Sequence, residues 1–193
     1  MSRTRVGVLG GTFDPFHNGH LGIARFLRES DIVDVVMVVP ANDPWQKRCV
    51  ASADQRLEMA RLGVANLEGI EVSDIDIVRG GPTYTVDTLS DIVALHRNAD
   101  ISFVVGSDAA AGLPSWHRAD ELRVKATFIV VTRPGARPPQ LDVQGYDLNL
   151  LNIPPVDVSS SAIRELVSKG SALTGMVPNA VAEYIMAQGL YRE

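Results

Sequence analysis

Apolar and polar positions alternate along this chain in blocks that predict strand and helix in turn. A short apolar run, Val6-Gly7-Val8-Leu9, reads as a buried strand over Arg5–Leu9. The residues from Leu21 to Leu27 then carry the 3.6-residue period of a helix over Gly19–Glu29. Val35–Val39 is a β-branched run and predicts the second strand. Ser52-Ala53-Asp54-Gln55 has the form of a capping box, which opens a helix running to about Asn66. Ile70–Ile77 alternates apolar and acidic residues, as a third strand and its exit would, and Arg79-Gly80-Gly81-Pro82 reads as a turn. Thr83 or Thr85 is placed to cap the following helix, whose Val86, Leu89, Ile92 and Val93 make an apolar face. Further strands are predicted at Ile101–Val105, Phe128–Val131 and Leu148–Ile153, and helices at Ser159–Lys169 and Pro178–Gln188. Pro178 suits a first helical position and Gly189 a helix stop. Pro40–Val50 and Arg133–Gly145 remain as loops.

Such alternation argues for the α/β class: a single doubly wound domain over residues 1–193 with a parallel sheet covered by helices. The length suffices for a real core, and neither an internal repeat nor a domain linker is visible. No apolar run approaches a membrane span, and the basic start Met1-Ser2-Arg3-Thr4-Arg5 leads into an apolar run that breaks at Gly10-Gly11, unlike a secretory signal. Cys49 is the single cysteine, which allows no internal disulfide and fits a cytoplasmic setting. A net charge of −5 argues against broad nucleic-acid binding, but small phosphorylated ligands need only local positive charge. The order of assembly, monomer or homo-oligomer, is left open.

The densest chemistry lies in Gly10-Gly11-Thr12-Phe13-Asp14-Pro15-Phe16-His17-Asn18-Gly19-His20, between the first strand and the first helix. Ligands of open α/β sheets bind at such hand-overs, and a helix start offers free N–H groups to phosphate. Gly10 and Gly11 let backbone approach a ligand, Thr12 offers a hydroxyl, and Gly19 leaves room beside His17 and His20. The two imidazoles share a face if the turn between them is helical, and both can donate to phosphate oxygens. The segment has neither G-x-G-x-x-G nor the G-K-[ST] ending of a P-loop. Zinc is disfavoured by the shortage of soft ligands, since only His96, His117 and Cys49 remain. Lys47 follows the second strand, where it is either a solvated surface lysine or a mobile point charge for phosphate. Gly106 permits close approach of a ribose, and Asp108 can accept its hydroxyls or face a metal through water. Trp116 offers a flat face to a ring, or packs in the core. Arg133 follows the fifth strand. Ser159-Ser160-Ser161 opens a helix with three hydroxyls and, with Arg164, makes an anion site or simply a well-capped helix.

His17-Asn18-Gly19-His20 resembles the H-x-G-H signature of the nucleotidylyltransferase superfamily, and the full eleven-residue segment resembles the nicotinate-nucleotide adenylyltransferases in particular. Pro40 to Lys47 is similar to that family's P-x-x-x-P-x-x-K loop, which implies Lys47 on the triphosphate and near the mononucleotide. Pro82 to Leu89 resembles its P-[ST]-Y-T-x-x-T-L stretch, which implies Thr85 on a nicotinate carboxylate. Phe103 to Leu122 resembles F-x-x-G-x-D followed by W-x-x-x-x-x-L, which implies Trp116 against the pyridine ring and Asp108 on both nucleotides. Val158 to Arg164 resembles [IV]-S-x-[TS]-x-[IL]-R, a triphosphate-binding motif, with Ser161 in place of the commoner threonine. Trp45 stands where relatives often carry a smaller residue, and His117 where tyrosine is common.

The resemblance covers nearly the whole chain. It implies a Rossmann-like nucleotidylyltransferase fold and transfer of the adenylyl group of ATP to nicotinate mononucleotide. His17, His20, Lys47 and Arg164 are the implied catalytic residues. Gly10, Gly11, Thr12, Gly106, Asp108, Arg133 and Ser161 join His17, His20 and Arg164 around ATP. Thr12, Lys47, Thr85, Asp108, Trp116 and His117 form the implied mononucleotide site. Mg²⁺ is expected to arrive with ATP. Nicotinamide mononucleotide, pantetheine-phosphate and cytidylyl transfer share the H-x-G-H element, and a non-catalytic nucleotide-binding module is the alternative of a different class.

Overall fold

The computed structural model describes residues 3–132, 145–154 and 156–192. The chain begins β1 (Thr4–Gly11), α1 (Asn18–Glu29), β2 (Val35–Pro40), β3 (Asp43–Pro44), α2 (Ala53–Val64) and β4 (Ile70–Val72). It continues α3 (Ile75–Arg79), β5 (Pro82–Thr83), α4 (Thr85–Leu95), β6 (Ala99–Gly106), α5 (Ser107–Ala111) and α6 (Ala119–Lys125). It ends β7 (Thr127–Thr132), β8 (Leu148–Asn152), α7 (Ser160–Ser168) and α8 (Asn179–Ala187). Six strands form one parallel sheet in the order β4-β2-β1-β6-β7-β8, so the order reverses between β1 and β6. The doubly wound α/β expectation is met.

Strands buried on both faces read as continuous apolar runs, and side chains alternate between the faces. Val36 and Val38 of β2 enter a core with Leu27, Met59, Ile163 and Ile185, under α1, α2, α7 and α8. Met37 and Val39, their neighbours in sequence, enter a second core with Leu89, Ile92 and Leu122, under α4 and α6. Ile129 and Val131 against Phe128 and Val130 repeat the division in β7. Each fully buried side chain of this kind stabilises by roughly 1.5–3 kcal/mol relative to leaving it in water.

The structure corrects several expectations locally. The strand expected over Ile70–Ile77 ends at Val72, and α3 takes over. The alternation there marks a helical turn that buries Asp76, which accepts from the Thr88 hydroxyl at 2.7 Å and from Arg79 at 2.6 Å. Neither Thr83 nor Thr85 caps α4: Tyr84 is the N-cap, Thr85 opens the helix, and Thr83 Oγ1 accepts from the Asn42 backbone N–H at 2.9 Å. Val93 stays exposed. The loop after β2 holds β3, whose Asp43 and Pro44 pair in parallel with Pro82 and Thr83. Pro178 sits at the N-cap of α8 rather than its first turn. The capping box holds, with Ser52 Oγ accepting from Gln55 N and Gln55 Oε1 from Ser52 N. The loop expected over Arg133–Gly145 lies outside the described residues except for Gly145. Among the described residues, no helix is long and apolar enough to cross a membrane.

Candidate active site

Residues leaving the carboxyl ends of neighbouring strands meet at one edge of the sheet. Gly11 of β1 lies beside Pro40 of β2, and Leu9 beside Val104 of β6, two residues before Gly106. The segment after β1, the loop after β2 and the Gly106–Asp108 turn therefore emerge together where the strand order reverses. Gly106 is exposed with open space where a Cβ would stand, and Asp108 is exposed in the first turn of α5. Gly10 and Gly11 are also required by packing. A Cβ on Gly10 would lie 2.8 Å from the Phe103 ring, and one on Gly11 2.9 Å from Phe13.

His17 is the N-cap of α1 and His20 its third helical residue, which stacks their rings at 3.6 Å and 21°. Gly19 makes this possible, since a Cβ there would stand 3.0 Å from the His17 ring. Phe13 meets His20 edge-on at 4.8 Å, and Phe16 is tilted against it at 5.5 Å. Burial, the second imidazole and the Lys47 ammonium together hold the His20 pKa well below the usual histidine value. His20 Nδ1 accepts from the His17 backbone N–H at 3.2 Å, so the neutral ring carries its proton on Nε2. His20 is thus a preset neutral donor at the start of a helix.

Two buried groups of opposite charge hold the loop that carries Lys47. Arg56 on α2 is 1% exposed and donates to the carbonyls of Thr12 (2.8 Å), Ala41 (2.6 Å), Asn42 (2.7 Å) and Ala51 (3.3 Å). Asp14 is 3% exposed and accepts from Val50 N at 2.7 Å, Ala51 N at 3.1 Å and the Tyr191 hydroxyl at 2.8 Å. Both ends of the loop are thereby pinned to the segment bearing the histidines. Exposed Lys47 lies between the pins. Arg164 reaches the same segment from α7, donating to the Asp14 carbonyl at 2.7 Å, with Ser161 Oγ accepting from it at 3.4 Å. The three serines divide the work: Ser159 caps α7 through Ala162 N, Ser160 donates to the Pro15 carbonyl, and Ser161 faces Arg164.

The other end of the site is aromatic. Tyr84 lies between His117, at 4.2 Å and 31°, and Trp45, at 6.4 Å. Trp116 is half-buried, edge-on to Phe103 at 6.4 Å, while His117 is exposed. Thr85 starts α4 directly after Tyr84. Asn42 ties this end to the loop of Lys47 through Thr83 Oγ1 and, from its side-chain amide, the Gly81 carbonyl at 2.9 Å.

His17, His20, Lys47, Ser161 and Arg164 are therefore gathered at or tied to the β1–α1 segment, while Thr85 and His117 sit beside Tyr84 and Trp116 packs on Phe103. Arg133 lies outside the described residues. The sequence alone points to no role for Asp14, Arg56, Tyr84 or Tyr191. Arg56 carried a signal, because it shares the buried stripe of Met59, Ala60, Gly63 and Val64 at helical spacing. Among the described residues, no three His, Cys, Asp or Glu side chains are grouped to hold a metal.

A fold that gathers imidazoles, a lysine and an arginine at a strand-order reversal is one that handles nucleotide phosphates. The model of the cytidylyltransferase-like family matches residues 8–166. A protein of Saccharopolyspora erythraea described as a probable nicotinate-nucleotide adenylyltransferase is 41% identical over 98% of this chain and 91% of its own. One from Streptomyces coelicolor with the same description is 41% identical over 95% of this chain and 99% of its own. The Plasmodium falciparum nicotinic acid mononucleotide adenylyltransferase complexed with NaAD superposes with a TM-score of 0.82 at 22% identity, over 97% of both chains. The chain belongs to the cytidylyltransferase-like family and, within it, to the nicotinate-nucleotide adenylyltransferases.

Proposed function

We propose that this protein joins ATP to nicotinate mononucleotide, giving deamido-NAD and pyrophosphate, a step of NAD biosynthesis. The observation that carries the reading is the stacked His17–His20 pair at the start of α1, with Nε2–H of a neutral His20 that feels the Lys47 charge. The 5′-phosphate oxygen of the mononucleotide attacks the α-phosphorus of ATP. The bond from that phosphorus to the β-phosphate oxygen breaks in line, and pyrophosphate leaves. The nucleophile is already an anion, so no general base is needed. What the protein supplies is orientation and donors aimed at charge on the phosphates. His17, His20, Lys47, Ser161 and Arg164 are assigned to that work, with Gly10, Gly11, Thr12, Gly106 and Asp108 around ATP. The aromatic end takes the pyridine: Trp116 and His117 flank it, and Thr85 with the start of α4 receives its carboxylate.

Mg²⁺ in this reading comes with ATP and neutralises triphosphate charge. The donor set fits such an ion: Asp108 is a single exposed carboxylate at the sheet edge, which suits Mg²⁺ held chiefly by phosphates and water.

Incubating the purified chain with ATP and either nicotinate or nicotinamide mononucleotide, then identifying dinucleotide and pyrophosphate, tests the proposal. Equimolar deamido-NAD and pyrophosphate, with slower turnover of the amide, is the expected result. ATP binding without pyrophosphate release would instead support a non-catalytic nucleotide-binding module.

A further inference from the structure

The start of α4 carries a charge that works against the anion assigned to it. Asp87 lies in the first turn, two residues after Thr85. A carboxylate there suits the helix but repels a second carboxylate arriving at the same N–H groups. Asp87 has a partner. Arg118 Nη1 donates to Asp87 Oδ1 at 2.8 Å, while its Nε and Nη2 hold both oxygens of Glu121 at 2.7 and 2.6 Å. One planar guanidinium thus bridges α4 and α6 in the fork geometry that arginine favours. Arg118 directly follows Trp116 and His117 and is itself the N-cap of α6, in the left-handed conformation at φ 53°. Arg118 thus stands next to the ring-bearing turn, whose His117 ring lies 4.2 Å from that of Tyr84.

We propose that Arg118 is a positioning residue for substrate choice: it neutralises Asp87, so that the start of α4 accepts a pyridine carboxylate over a neutral carboxamide. This rests on the nicotinate reading of the site. Glu121 shares the guanidinium but stands on α6, so Asp87 is the carboxylate that bears on the start of α4.

The test is a double-mutant cycle read as the ratio of kcat/KM for nicotinate over nicotinamide mononucleotide. Arg118→Gln should lower that ratio about fivefold, the scale of a charge at a helix terminus. The loss should fall on KM for nicotinate mononucleotide, with kcat and the KM for ATP little changed. Adding Asp87→Asn to Arg118→Gln should bring the ratio back to within about twofold of wild type, because the uncompensated charge is gone. Asp87→Asn alone should hold the ratio at or above wild type, and this arm stands even if Arg118→Gln folds poorly. An unchanged ratio in folded Arg118→Gln, a double variant no better than the single one, or a fall in Asp87→Asn would each overturn the role of Arg118. The wild-type arm separates this from the parent reading: a wild-type chain without preference for the nicotinate form contradicts the proposed function itself.

Discussion

At the end of the site proposed for phosphate, Asp14 and Arg56 are nearly inaccessible, and their side chains make six hydrogen bonds to backbone, five of them to residues flanking Lys47 and one to Thr12, besides the bond Asp14 accepts from the Tyr191 hydroxyl. At the end proposed for the pyridine, Arg118, His117 and Trp45 are exposed and are held by ion pairs and ring contacts. The two ends face different tasks. Donors that stabilise charge on phosphates are effective only when their geometry is fixed beforehand and water is kept away, so the groups that hold them are buried. Choosing between two pyridine substituents needs a modest difference in binding energy, which exposed charges and rings can provide. Stability and rate should therefore be concentrated at one end, and discrimination at the other.

The strongest challenge to this contrast is Arg56→Met. It keeps the apolar length of the side chain and removes donors from four carbonyls, so unfolding free energy should fall by roughly 3–5 kcal/mol, seen as a lower denaturant midpoint at similar slope. A loss under about 1 kcal/mol would show that the loop is held by other means.

His20→Ala comes next. Removing one preset donor should reduce transition-state stabilisation by about 2–4 kcal/mol in kcat/KM, while circular dichroism shows the fold retained. Unchanged turnover in a folded variant would remove His20 from the chemistry.

The same residue gives a pH effect on stability. The folded-state pKa of His20 lies below its unfolded value near 6.5, so the unfolded chain binds the extra proton first as pH falls. Stability is then full above about pH 6.5 and is lost on the acid side, with a slope of at most about 1.4 kcal/mol per pH unit. Between pH 7 and 5 that slope should shrink in His20→Asn. An identical slope in both proteins would show that the folded-state pKa of His20 is not depressed below its unfolded value.

The smallest effect belongs to the pyridine end. His117→Ala removes an exposed ring and should change stability by less than about 0.5 kcal/mol. A larger loss would mean that the Tyr84–His117 contact supports the fold.

This contrast also explains what could be read from the sequence. The six strands of the sheet and the longer helices announce themselves because burial on two faces or on one stripe imposes a period. The short elements α3, α5, α6, β3 and β5 do not, because five to seven helical residues, or two in a strand, are too few to set one. His17, His20, Lys47 and Arg164 stand in motifs of recognisable spacing. Arg56 stands outside them, and Asp14 stands inside one without showing its role, since the partners of both are almost all backbone atoms, which leave no trace in residue identity. Threonine favours capping, which points to Thr83 or Thr85, but the Thr83 hydroxyl pairs with Asn42 instead.

The division of labour between the two ends is tested most directly by measuring kcat/KM for nicotinate and nicotinamide mononucleotides in wild type and in His20→Ala. The account predicts that His20→Ala lowers both values by the same factor, leaving the wild-type preference for nicotinate mononucleotide intact. A preference that collapses or inverts in His20→Ala would contradict it.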